Sequence, residues 1–121
     1  MINNLNIIIP LKNEDQQVET TVDFLSGELR ELKKKFIITL IDDYSSDKTW
    51  NLLIKLREKY NNVEIYKNEY QPGYGNATRL GIEKNKCDAV VFFMGDCSDN
   101  PKDIKSYVEY LDQGFDCVFG S

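Results

Sequence analysis

The sequence predicts an α/β fold, an open and mainly parallel sheet with helices on both faces. Three observations carry this reading. Ala89-Val90-Val91-Phe92-Phe93 is an unbroken apolar run, the pattern of a strand buried on both faces of a parallel sheet. Strand-like and helix-like stretches alternate along the whole chain as β-α-β-α-β-α-β-α-β, which calls for right-handed crossovers between parallel strands. Three of the strand patterns end in polar or acidic groups, at Lys12 to Glu14, at Asp42-Asp43 and at Asp96. In a parallel sheet those ends share one edge, where open α/β sheets bind their ligands.

The elements follow in order. Leu5 to Ile9 is a short apolar strand stopped by Pro10. Val18, Val22, Leu25, Leu29 and Leu32 then recur at helical spacing and form one apolar stripe. Lys33-Lys34-Lys35 closes that helix, where positive charge complements the dipole, and reads as a solvated helix end rather than a phosphate patch. Phe36 to Ile41 is a second strand, and Ser46 or Asp47 can cap a helix running through Tyr60. In that helix Trp50, Leu53 and Ile54 face the core, with Arg57 at its rim. Val63 to Tyr66 is a third strand. The Gly/Pro-rich stretch Asn68 to Ala77 leads into a helix from Ala77 to Asn85, and on spacing alone Gly73-x-Gly75 is a plain tight turn. After the apolar run, Pro101 opens a helix to Gln113 with Ile104, Tyr107, Val108 and Leu111 inward, and Gly114 follows its end. Phe115 to Phe119 is the fifth strand.

Composition narrows the function. A chain of 121 residues is one domain, and its hydrophobic share of 41% is that of an ordinary globular protein. No apolar run approaches a membrane span, the N-terminus lacks a signal-peptide pattern, and a cytoplasmic location is expected. The net charge of -5 argues against nucleic-acid binding. Three cysteines without CxxC spacing argue against a disulfide framework or a zinc site. The chain contains no histidine, which removes Ser-His-Asp hydrolysis, Cys-His proteolysis and His-ligated metals together.

Carboxylates without histidine suit hard cations. Mg2+ or Mn2+ binds through one or two carboxylates plus substrate phosphates, and such an ion would neutralise a diphosphate leaving group. Asp42 or Asp43, on a different strand, is placed to accept hydrogen bonds from a base or ribose. Asp96 and Asp99 also have the side chain that turns and helix caps use. For Asp99, followed by Asn100-Pro101, the two readings stand level, whereas Asp96 directly at the strand end reads as a site residue. Spacing alone leads to a site for a nucleoside diphosphate and a metal, and no further.

Four blocks carry a more specific resemblance. Ile7-Ile8-Ile9-Pro10-Leu11-Lys12-Asn13-Glu14 is the first, and Ile41-Asp42-Asp43-Tyr44-Ser45-Ser46-Asp47-Lys48-Thr49 the second. Asn68 with Gly73-Tyr74-Gly75-Asn76-Ala77 and Gly81 is the third, and Phe93 to Ile104 the fourth. Their order and spacing resemble family 2 glycosyltransferases, nearest to the dolichyl- or polyprenyl-phosphate mannosyl- and glucosyltransferases. Val118-Phe119-Gly120-Ser121 is similar to the strand that follows.

The resemblance implies the Rossmann-like, nucleotide-binding half of a GT-A fold. It also implies metal-assisted transfer of a sugar from a UDP- or GDP-sugar to a lipid phosphate or another acceptor. By position, Pro10, Lys12 and Glu14 would line the nucleoside pocket, Ile41 and Asp43 would contact base or ribose, and Gly73 and Gly75 would close beside the nucleotide. Asp96 would ligate Mg2+ or Mn2+, with Ser98 near the cation. The family often carries Asp-x-Asp at the metal, and here Met94 holds the first of those positions, a one-aspartate variant. Family members continue past this length with acceptor contacts and, in many cases, the catalytic base. The resemblance therefore implies residues 1–121 as a donor-binding domain shorter than the family, from a parent peripheral to the inner membrane face, with a polyprenyl-phosphate acceptor there. A non-catalytic nucleotide-sugar-binding remnant is the alternative. A signalling receiver domain fits less well, because the acidic pair follows the second strand and the third ends Ile65-Tyr66-Lys67. A nucleotidyltransferase would want a glycine-rich loop after the first strand, and Pro10 to Asp15 contains no glycine.

Overall fold

The computed structural model describes residues 4–31 and 35–93 and the backbone of 117–119. The elements are β1 (Asn4–Leu11), α1 (Val18–Arg30), β2 (Lys35–Asp42), α2 (Thr49–Lys59), β3 (Val63–Lys67), α3 (Tyr74–Lys84), β4 (Ala89–Phe92) and β5 (Cys117–Phe119). The expected helix Pro101 to Gln113 lies outside the described residues, as do Leu32, Lys33 and Lys34. All five strands are parallel, in the order β3-β2-β1-β4-β5.

Side-chain alternation along the strands divides the interior in two. Leu5, Ile7, Ile9 and Leu11 of β1, with Ile38 and Leu40 of β2, face α1 and α2 and form the larger core. The stripe Val18, Val22, Leu25 and Leu29 closes it from α1, and Leu53 and Leu56 from α2. Trp50 and Ile54 pack partly buried at its border, as their spacing suggested. On the opposite face Ile8, Ile41 and Phe92 meet Ala77 and Leu80 of α3. The chain thus changes faces between β3 and β4, and the strand order reverses between β1 and β4. In open α/β sheets such a reversal marks the place at the carboxyl edge where ligands bind.

Gly81 sets how closely α3 lies on this sheet. A Cβ there would stand 2.6 Å from Ile8 Cγ2 and 3.1 Å from Ile41 Cδ1, both in the packed interior. Alanine would gain about 1 kcal/mol of helix propensity, but overpacking a dense core costs about 1–3 kcal/mol. Both isoleucines are completely buried and have no room to yield, so the steric cost dominates. Gly81→Ala is expected to lower the urea midpoint of unfolding; an unchanged or raised midpoint would contradict this packing.

The helix of the third block starts earlier than its sequence suggests. The Gly73 carbonyl accepts from the Ala77 N–H at 3.0 Å, so Tyr74, Gly75 and Asn76 already form the first turn. Gly75 is therefore an exposed helical residue and not part of the loop.

Candidate functional site

Two loops at the carboxyl edge clasp one another. Asn13, held at φ 55°, donates its N–H to Ser45 Oγ at 2.9 Å, and its Oδ1 accepts from the Ser46 N–H at 2.8 Å. The Glu14 N–H donates to Thr49 Oγ1 at 2.9 Å, and the Asp15 N–H to Asp47 Oδ2 at 3.3 Å. Asp47 in turn accepts from the N–H and hydroxyl of Thr49, which caps the start of α2. Burial pushes the Asp47 carboxyl up, but the hydrogen bonds from Thr49 and from the Asp15 N–H outweigh it and hold the group below its ordinary range. The loops after β1 and β2 thus form one rigid platform.

Asp43 is the centre of the site. It is 2% exposed, directly past the end of β2, and its own N–H bonds the Leu11 carbonyl at 2.7 Å. Its carboxylate accepts from Asn68 Nδ2 at 2.9 Å and from the Gly73 N–H at 3.1 and 3.0 Å to the two oxygens. Gly73 sits at φ 140°, ψ 145°, a conformation that L side chains rarely adopt. The buried carboxylate therefore fixes the glycine loop after β3 against the end of β2.

Asn68, itself buried, completes this arrangement. Its Nδ2 also reaches the Gln71 carbonyl at 3.1 Å, and its Oδ1 accepts from the Tyr70 N–H two residues on, an Asx turn. Tyr44, in the left-handed region at φ 59°, spans the same gap from outside by donating its hydroxyl to the Tyr70 carbonyl.

Lys12, Asp43, Pro72, Gly73 and Tyr74 line a cavity of about 400 Å³. Beside it, Asp42, Tyr44, Ser45, Lys67 and Asn68 line a second hollow of about 220 Å³. An exposed ammonium, a satisfied carboxylate, a glycine loop and the flat surfaces of Pro72 and Tyr74 suit an anionic ligand with a planar ring.

Of the residues singled out in the sequence, Lys12, Asp43 and Gly73 are brought together in this cavity. Pro10 and Ile41 are buried beneath it. Ile41 has no exposed surface and packs in the core under α3, so its side chain supports the site from below. Glu14 is half-buried next to the clasp and does not line the cavity. Gly75 projects on the first turn of α3. Asp96, Ser98 and Asp99 lie outside the described residues. Among the described residues no group of three His, Cys, Asp or Glu side chains could hold a metal ion. The pivotal part of Asn68 and the brace from Tyr44 went unread in the sequence. An asparagine ahead of Gln71-Pro72-Gly73 is a signal for the first; nothing signals the second.

Comparison with known proteins decides the family. The model of Glycosyl transferase family 2 matches residues 6–121. The chain belongs to that family. Among relatives of this family 2 domain, the undecaprenyl-phosphate 4-deoxy-4-formamido-L-arabinose transferase of Pectobacterium carotovorum is 29% identical over 120 residues. The match covers 97% of this chain and 36% of that protein. The dolichol-phosphate mannosyltransferase of Pyrococcus furiosus is 26% identical, covering 97% of this chain and 32% of the relative. The chain thus spans about a third of the length of these relatives.

Solved structures show the same GT-A fold. The mannosyltransferase PcManGT of Pyrobaculum calidifontis, in complex with GDP-Man and Mn2+, superposes with a TM-score of 0.74 at 19% identity, covering 88% of this chain and 32% of that one. S. aureus TarS 1-349 gives 0.70 at 20% identity, covering 91% and 32%. Among the described residues of the family 2 domain, no helix is long and apolar enough to cross a membrane.

Proposed function

We propose that this domain binds the nucleoside diphosphate of a UDP- or GDP-sugar at the carboxyl edge, and serves metal-assisted transfer of that sugar to a polyprenyl-phosphate acceptor at a membrane surface. The observation that carries the reading is the Asp43 carboxylate pinning the Gly73 loop beside Lys12, at the reversal of strand order in a family 2 domain. The polyprenyl-phosphate acceptor is supported by the names of the two relatives, and the donor by the GDP-Man complex.

Each group has a distinct task. Lys12, exposed at the mouth, attracts the diphosphate as a mobile point charge. Asp43 orients the glycine loop and keeps one carboxylate face toward the base or ribose, since a carboxylate accepts about four hydrogen bonds. Pro72 and Tyr74 offer the flat apolar wall. Asp96 and Ser98 would hold Mg2+ or Mn2+; a histidine-free chain offers mainly oxygen donors, which suit these hard cations. Such an ion would supply charge neutralisation for the diphosphate leaving group.

Calorimetric titration with UDP, GDP and ADP, each with and without Mn2+, tests the proposal. Binding of UDP or GDP at least about tenfold tighter with the metal, a gain of about 1.4 kcal/mol, is the expected result and identifies the base. Equal, metal-independent binding of all three, or none, would refute it.

A further inference from the structure

The segment from Asn68 to Gly73 is pinned from within by the Asn68 turn and by Asp43. A further side chain reaches it from the loop after β2, where Tyr44 donates its hydroxyl to the Tyr70 carbonyl at 2.5 Å. Tyr70 is a firm point of attachment. It packs partly buried against the core on the α3 side. Its hydroxyl donates to the two carboxylate oxygens of Glu83 at 2.7 and 2.5 Å. Arg79 lies over its ring at 4.5 Å and pairs with Glu83 at 3.3 Å. Tyr44 therefore ties the loop after β2 to a residue already anchored on α3.

Tyr44 makes this contact against its own backbone preference. Among the described residues only Asn13 and Tyr44 are non-glycine residues with positive φ, at 55° and 59°. Asparagine tolerates the left-handed region through its short polar side chain, whereas a bulky residue there is an outlier. Tyr44 is 50% exposed, so core packing does not impose the conformation. Asp43 stands directly before it, and Ser45 and Ser46, directly after it, hold Asn13. The strained residue thus joins the clasp to the Asp43 pin. Strained backbone persists where surrounding contacts over-determine it, and it concentrates at ligand sites. If stability alone were served, glycine would suit the position better, because it takes this φ without steric cost. Glycine cannot reach Tyr70.

We propose that Tyr44 is a positioning residue for nucleotide binding. Its hydroxyl fixes the Tyr70 carbonyl, and with it the Gly73 turn, so that the cavity beside Lys12 is formed before the nucleotide arrives. A preformed loop binds more tightly because less ordering is left to the binding step. The inference rests on the nucleotide reading of that cavity.

Tyr44→Phe and Tyr44→Gly test it through three readouts: amide hydrogen exchange at Gly73 without ligand, the melting temperature, and the Kd for UDP or GDP with Mn2+. The Gly73 N–H is an independent reporter, since its acceptor is Asp43 and not Tyr44. Tyr44→Phe should speed exchange at Gly73 about fivefold, the population change that one ordinary hydrogen bond controls. Its nucleotide affinity should fall by a similar factor. Tyr44→Gly should melt at or above the temperature of Tyr44→Phe, because the left-handed strain is gone. It should nevertheless bind nucleotide no better than Tyr44→Phe. A bond that acted through stability alone would rank the two variants alike in melting and in binding. Unchanged exchange at Gly73 or unchanged affinity in Tyr44→Phe, or parent-like affinity in Tyr44→Gly, would overturn the proposal. Exchange is read without nucleotide, so a parent protein that binds neither UDP nor GDP refutes the nucleotide reading while Gly73 still reports on the brace.

Discussion

Asp43→Ala is expected to destabilise the domain by about 2–4 kcal/mol, because it takes the acceptor from the Gly73 N–H and from one of the two amide hydrogens of the buried Asn68, the other staying on the Gln71 carbonyl. Urea unfolding should show this as a lower midpoint at unchanged slope. The same variant should lose nucleotide binding by more than the stability change alone would cause, since the Gly73 loop is no longer fixed beside Lys12. Asp43→Asn separates the two effects. It retains one carbonyl oxygen for Asn68, but turns an amide donor toward the Gly73 N–H, so it should fold better than the alanine variant and bind almost as poorly. If Asp43→Ala unfolded with the parent's midpoint, the glycine loop would be held by something else.

The second large effect is expected at Asp96. Asp96→Asn should leave the stability from urea unfolding within about 0.5 kcal/mol of the parent. It should reduce binding of UDP or GDP in Mn2+ to the level measured without metal, a loss of about tenfold or more. Asparagine keeps the size and one oxygen but removes the charge a hard cation needs. Met94 stands where the family often has the first aspartate of Asp-x-Asp, so Asp96 carries that motif's charge alone. Parent-like affinity of the variant in Mn2+ would move the metal elsewhere.

The sheet was legible in the sequence because its signals are redundant. Apolar runs, β-branched content and alternation of element type all point to parallel strands, and β1 to β4 fall within one or two residues of their predicted bounds. The shared edge of Lys12 and Asp43 follows from parallel pairing alone, with Leu11 opposite Asp42 in the register. Gly75 was misplaced because a glycine pair reads as a turn, whereas the single strained φ at Gly73 ends the loop and lets the helix begin at once. The resemblance places Ile41 at the base or ribose, whereas its side chain is fully buried against Ala77 and Leu80 of α3 and does not line the cavity. The Tyr44 brace depends on a left-handed tyrosine, which propensity disfavours and only tertiary contacts impose.

The central claim is that the loops after β1, β2 and β3 form one nucleotide pocket pinned by Asp43. Amide shift mapping of the 15N-labelled protein with UDP and GDP, using Mg2+ as the diamagnetic ion, tests it most directly. The expected result is saturable shifts for Lys12, Asp43, Gly73 and Tyr74 with UDP or GDP, and a tenth of that response or less with ADP. Shifts confined to other residues, or an equal response to all three nucleotides, would contradict the account.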